Sequence, residues 1–298
     1  MAKTFNNLKA DFLTLSKNSD SNNTTLASTL LNLWIRKILA LRDWSFNTTS
    51  DTITTVANQQ AYELPHNCFR VKQVKQLNSD TYYFPQEITS REAWNALNAS
   101  SDTSSIPTHW FVNESNQLEV YPKSSVAGNT IYVYFRKTAK DYLETDYETG
   151  TVTITNGSVY LIGTGTNWTS TMVGRHFSLG YDGFWYEIGG YLTNAYLTLK
   201  KKFKGLSVVA SSPYEIGELI PLPEGFEDLV LWASLSDYYT HRGENIPLAQ
   251  EYERRYKEGL EDLKKRDRRT ESSILTTEAD IMEGIALNDP NDPPEISE

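Results

Sequence analysis

Along this chain the apolar residues repeat first at a period near four, then near two, then near four again. Phe5, Leu8, Phe12 and Leu15 recur at three- and four-residue steps, the stripe of a short amphipathic helix. The turn-forming stretch "KNSDSNNTT" interrupts it. A second helix is predicted from about Thr25 to Trp44, with Leu26, Leu30, Trp34, Ile38 and Leu41 on one face. Leu31 and Ile35 widen that face enough for more than one neighbour.

From Asp51 the period falls to two. "FRVKQVKQLN" reads as an edge or half-buried strand, and "THWFVNESNQLEVYP" and "NTIYVYFRK" are expected to form an antiparallel pair. Between them "EITSREAWNALNA", residues 87–99, predicts a short helix capped by Thr89 or Ser90, with Glu92 in its first turn. Residues 139–149 are acidic and poor in branched apolar side chains, so they read as a linker. Dense β patterning follows, with Asn156-Gly157 as a type I′ hairpin signal and roughly five short strands in about 70 residues. That stretch reads as a compact β module, a small barrel or sandwich.

The longer period returns in "IPLPEGFEDLVLWASLSDYY". From Phe226 to Tyr239 it predicts a helix with apolar residues on nearly every side, among them Phe226, Leu229, Val230 and Trp232. A helix of that kind needs partners on several faces. One is the last predicted helix, Ile246 to Arg266, capped by Asn245 and striped by Leu248, Tyr252, Tyr256, Leu260 and Leu263. The other is the helix carrying Leu30, Trp34 and Ile38. The expected fold is therefore α+β, with a helical bundle formed from the N- and C-terminal helices, an antiparallel β region and the β module. Beyond Thr270 the chain holds eight carboxylates and no Lys or Arg, so it is expected to be an extended acidic arm.

Composition narrows the chemistry. The 298 residues carry a formal net charge of −10, which argues against a broad surface for gripping nucleic acid. The single cysteine, Cys68, excludes an intrachain disulfide or a multi-thiolate zinc site, and the four histidines are scattered. Neither a signal peptide nor a membrane span is expected from the apolar runs. "GTGTNW" lacks the Lys-Ser/Thr of a phosphate loop, and no nucleophile elbow is present. Asp141, Glu144, Asp146 and Glu148 invite a cation or an acid–base pair, but a solvated linker is the simpler reading. No catalytic, metal or cofactor site is expected.

Two features suggest contact surfaces instead. Aromatics crowd the module beside "KKKFK", and Trp168, Tyr181, Trp185 and Tyr191 are its candidate contact residues, although a small barrel also needs aromatics for its core. A carbohydrate-binding surface is the alternative that these aromatics raise. The last helix concentrates positive charge: Arg254, Arg255, Lys264, Lys265, Arg266, Arg268 and Arg269 are candidate contacts to another subunit.

The order of segments resembles the head–tail connector, or adaptor, proteins of tailed bacteriophages. The resemblance is carried by "Q-x-Y-x-LP" at Gln60–Pro65, "P-T-H-W-F" at Pro107–Phe111, "L-E-V-Y-P" at Leu118–Pro122 and the "LP-x-x-F" start of the penultimate helix, spread over about 220 residues. It implies a non-enzymatic virion protein at the head–tail junction, assembled in the host cytoplasm as a ring, dodecameric in the family. Implied partners are the portal protein, tail proteins (nozzle, tube or fibre), neighbouring copies of the chain, and double-stranded DNA that passes without sequence-specific binding. In simpler members the "YxVxYxR" strand is followed shortly by the late helix. Here Arg136 and Pro221 are separated by about 80 residues. The resemblance thus implies an adaptor core of 1–146 plus 218–269, an inserted module at 147–217 and an arm at 270–298.

Overall fold

Side-chain caps decide where the first two helices begin. Thr4 and Asn7 form a reciprocal capping box at the start of α1, Phe5–Ser16, and Lys17 ends it in the left-handed region at φ 51°. The Asp20 carboxylate accepts the Asn23 backbone N–H at 2.6 Å where α2, Ser21–Ala40, begins. The second helix therefore starts four residues before Thr25 and stops four before Trp44. Its buried side is also rotated from the one read in the sequence: Ala27, Leu30, Leu31, Ile35 and Ile38 are buried, whereas Leu26 and Leu41 are exposed.

The computed structural model describes residues 2–286 apart from Glu144, Tyr181, Asp182, Gly243 and Glu244; side chains of 209–211 and beyond 267 lie outside that description. The chain divides into two compact units, Leu39–Ala139 and Met1–Ile38 with Lys140–Glu298.

In the first of these, one antiparallel sheet runs in the order Thr48–Thr54, Thr130–Lys137, Cys68–Asn78, Thr81–Tyr83. The central strand alternates cleanly, turning Ile131, Val133 and Phe135 inward; each such burial is worth about 1.5–3 kcal/mol. A second sheet pairs Ala61–Glu63, Gln117–Tyr121, His109–Val112 and Gln86–Glu87 in that order. Both sheets feed one core, in which Trp110, Leu118 and Val120 join Val71, Val74 and Ile131. The two segments expected to pair therefore sit in different sheets. His109–Val112 turns back on Gln117–Tyr121, and Thr130–Lys137 takes Thr48–Thr54 and Cys68–Asn78 as neighbours. The short α3, Arg91–Leu97, is capped by Ser90 and lays Trp94 on Phe111.

The other unit holds a seven-stranded sheet and the remaining helices. The sheet order is Val208–Ser212, Thr151–Ile154, Tyr160–Thr164, Tyr196–Leu199, Tyr186–Thr193, His176–Ser178, Glu215–Gly217. Laid flat, seven strands span about 29 Å. The two outermost strands are consecutive in the chain, joined only by Pro213 and Tyr214, which reach about 10 Å between them. The sheet must therefore curl until its edges approach, and Trp168, Phe177, Leu197 and Phe203 fill the interior. The Asn156-Gly157 hairpin exists, but as a loop over 155–159. Gly157 alone takes positive φ, and Asn156 instead uses its side chain on the Gly205 carbonyl.

α4, Asp228–Arg242, is buried through Leu229, Val230, Leu231, Ala233, Leu235, Tyr238 and Tyr239, the near-continuous apolar surface expected of it. α5 runs Ile246–Ala286, twenty residues past the Arg266 end read from the sequence. No proline interrupts 248–286, and an acidic tail without a breaker continues a helix already nucleated. The extended arm expected from residue 270 thus begins as helix, and its remainder, 287–298, lies outside the described residues.

α4 and α5 approach closely at Gly259, where an added Cβ would stand 2.5 Å from Leu229 Cδ2 and 3.3 Å from Trp232 Cζ3. Gly259→Leu is expected to lower the unfolding free energy by about 1–3 kcal/mol in denaturant titration, despite its better helix propensity. A rise in stability would show that the helices are free to separate there.

Candidate assembly interface

The bundle meets at Trp34. Its indole Nε1 donates to Asp237 Oδ2 of α4 at 2.8 Å, and its ring lies edge-on to Tyr256 of α5 with centroids 5.1 Å apart. Lys37, one turn on, places Nζ 4.0 Å from the same ring and 3.7 Å from Asp237. One aromatic side chain so joins three helices. Of the nine expected core or interface residues, Leu30, Ile38, Leu229, Val230 and Tyr252 are buried. Trp34, Phe226, Trp232 and Tyr256 are half-buried, leaving aromatic surface open on the bundle.

The basic residues of α5 are not bare. Arg254 binds Glu251 and Glu258, Arg255 also binds Glu251, Lys264 binds Glu261 and Lys265 binds Asp262. Hydrogen bonds from Arg254 and then Arg255 hold the Glu251 carboxyl down at about 2. Arg266 donates to the Glu224 carbonyl and lies over the Phe226 ring. Such exposed pairs are individually weak, so an acidic partner could exchange with them at little cost. The side chains of Arg268 and Arg269 lie outside the described residues.

The linker is more firmly held than its composition suggests. Tyr142 is only 4% exposed and stacks on Phe5. Asn32 of α2 clamps its backbone from both sides, donating from Nδ2 to the Tyr142 carbonyl at 3.0 Å and accepting its N–H at 2.9 Å. Further on, Thr4 Oγ1 donates to Asp146 Oδ2 at 2.6 Å. Tyr147 and Ile216 exchange both backbone hydrogen bonds, at 2.9 Å each. The buried Arg175 ties the Thr145 and Ile216 carbonyls together. Gly217 is required at this junction, since a Cβ would lie 2.4 Å from Thr4 Cγ2. Beside it the Glu215 carboxyl is pushed up to about 7, by burial first, then by the charge and hydrogen bond of Asp146 and the charge of Glu148. Sequence reading passed over Asn32 and Glu215; a lone Asn inside an apolar helix face was the only signal for the first.

The module's candidate contact residues separate. Trp168 is 1% exposed, with Nε1 donating to the Tyr214 hydroxyl at 2.8 Å, so it belongs to the core and not to the surface. Its size fills the space inside the curled sheet. Tyr191 is exposed, and Tyr181 lies outside the described residues. Trp185 lines a groove of about 620 Å³ with Phe184, Tyr186, Lys201, Lys202, Lys204, Gly205 and Leu206. Among the described residues no cluster of three or more His, Cys, Asp or Glu could hold a metal ion, and no helix is long and apolar enough to cross a membrane.

Asn32→Leu is expected to lower stability by about 2–5 kcal/mol in denaturant unfolding, because both Tyr142 backbone groups lose their partner inside the protein. An effect below about 0.5 kcal/mol would mean that water replaces the clamp. For Glu215 the folded-state pKa lies above the unfolded one, so its stabilising contribution is complete below about pH 4.5 and is lost as pH rises through about 7. Melting curves of Glu215→Gln should therefore match the parent near pH 5 and run above it at pH 8. Parallel curves at both pH values would contradict the shift.

A family model described as SU10 adaptor protein matches residues 3–277. No curated protein matches the chain. The match covers nearly the whole sequence, so the chain belongs to the SU10 adaptor protein family, phage-associated adaptors that are structural components of the virion.

Proposed function

From that membership we infer that the chain is one subunit of a closed ring, dodecameric on the family pattern, that joins the capsid portal to the tail and continues the DNA channel. Family membership over residues 3–277 is the observation that carries this reading. The half-buried aromatics around Trp34 supply surface that a neighbouring copy can cover. From Leu263 the helix α5 continues to Ala286, about 35 Å, which suits a segment that reaches a portal or a second subunit. A net charge of −10 suits passage of DNA without retention, since carboxylates repel phosphates. The role needs positioning and not catalysis.

On this reading residues 1–146 and 218–269 are the adaptor core, and 147–217 is a module inserted into it. The pairing of Tyr147 with Ile216 favours that division, because chain ends held side by side let a module be added without disturbing its host. The module then faces tail proteins or braces adjacent subunits. The alternative, a carbohydrate-binding tail-fibre or baseplate component, keeps Trp185 at the groove but loses Trp168 to the core.

Electron microscopy of the purified protein, alone and mixed with its portal, tests the assignment. Rings of one symmetry seated on the portal are expected; trimers or fibres that bind glycans would overturn it.

A further inference from the structure

The Trp185 groove concentrates the module's free positive charge in a chain that is otherwise acidic. Residues 147–217 hold five basic and four acidic side chains. Two of the five are engaged: Lys200 with Glu187, and Arg175 with the buried carbonyls of Thr145 and Ile216. Lys201, Lys202 and Lys204 have no carboxylate partner among the described residues, and all three line the groove. The apolar part of the wall is unusually open for large side chains, with Phe184 67% and Leu206 80% exposed. Aromatic rings and a cationic rim together specify an occupant that is anionic and carries apolar groups.

Residues 287–298 have that chemistry in a regular order. They read in triplets: Leu287-Asn288-Asp289, Pro290-Asn291-Asp292, Pro293-Pro294-Glu295, Ile296-Ser297-Glu298. Every first position is apolar and every third is a carboxylate. A polyproline II strand has three residues per turn, so this repeat places Leu287, Pro290, Pro293 and Ile296 on one edge and all four carboxylates on another. Proline-rich segments dock on aromatic-lined grooves in this conformation, which costs little ordering entropy.

We propose that the Trp185 groove is a peptide-binding site for residues 287–298 of a second copy of this chain. The apolar edge lies on Phe184, Trp185 and Leu206, and the acidic edge on Lys201, Lys202 and Lys204. A second copy is within reach, because α5 carries Ala286 about 35 Å beyond Leu263 and twelve residues in the polyproline II form would span about 37 Å. The charge pairing makes the contact sensitive to salt. The site is independent of ring closure, since two copies suffice to form it.

Carbodiimide coupling of the full-length protein, mixed from isotope-labelled and unlabelled copies, tests the proposal. Amide cross-links of mixed isotope composition are expected between Lys201, Lys202 or Lys204 and Asp289, Asp292, Glu295 or Glu298. A synthetic peptide of residues 287–298 in excess should lower their yield about tenfold, while a peptide of the same composition with the triplets scrambled should not. The triple change Lys201→Glu, Lys202→Glu and Lys204→Glu alters exposed side chains only. Cross-links of the same segment to other lysines of the variant at undiminished yield would overturn the proposal. So would links confined to single copies, or equal competition by the scrambled peptide. Rings seen by microscopy without these cross-links would overturn this proposal alone, and cross-links without rings would overturn the ring assignment alone.

Discussion

The fold depends on how the chain closes its longest loop. After α2 it runs through a hundred residues of β structure before returning, and Asn32 receives it by engaging both the N–H and the carbonyl of Tyr142. Arg36, one turn on, adds an ion pair to Asp141. Closing so long a loop costs entropy that few single contacts could offset, and this one gains strength from being buried beside the Phe5–Tyr142 stack. Everything that follows, including the second excursion into the seven-stranded sheet, starts from a point fixed against α2.

The second excursion is closed differently. Its ends pair as backbone, Tyr147 with Ile216, and Thr4 and Arg175 bind the strands on either side of that pair. Two carboxyl groups, Asp146 and Glu215, sit at the same place. The first closure is made by a neutral amide, and the second includes acids whose charges repel. The two junctions therefore answer to different solution conditions, although they tether the same helical scaffold.

Much of this architecture was legible in the sequence. Periodicity located α1, α4 and the start of α5, and the all-round apolar character of "LVLWASL" correctly announced a helix with partners on several sides. It failed where a local pattern has two solutions. An amphipathic face is defined only to within a residue or so, and in α2 Ala27 went inside while Leu26 stayed out. Alternation identified strands but not their neighbours, because long-range pairing is decided by which faces share a core. Aromatics posed the hardest case. Trp168 and Trp185 belong to the same aromatic-rich module, yet one fills the sheet interior and the other lines an open groove. Only the curl of the sheet distinguishes them.

That curl has a consequence for a protein that works in contact with others. A flat seven-stranded sheet offers two rows of unpaired backbone groups, and any neighbouring sheet can bind there without regard to side chains. Here the strand at one end, Glu215–Gly217, has its outer side taken by Tyr147, and the strand at the other end lies only two residues away along the chain. Contacts between this sheet and other molecules then fall to side chains, which discriminate among partners, and not to main chain, which does not. Close contact with other virion proteins becomes compatible with the chain keeping its own fold.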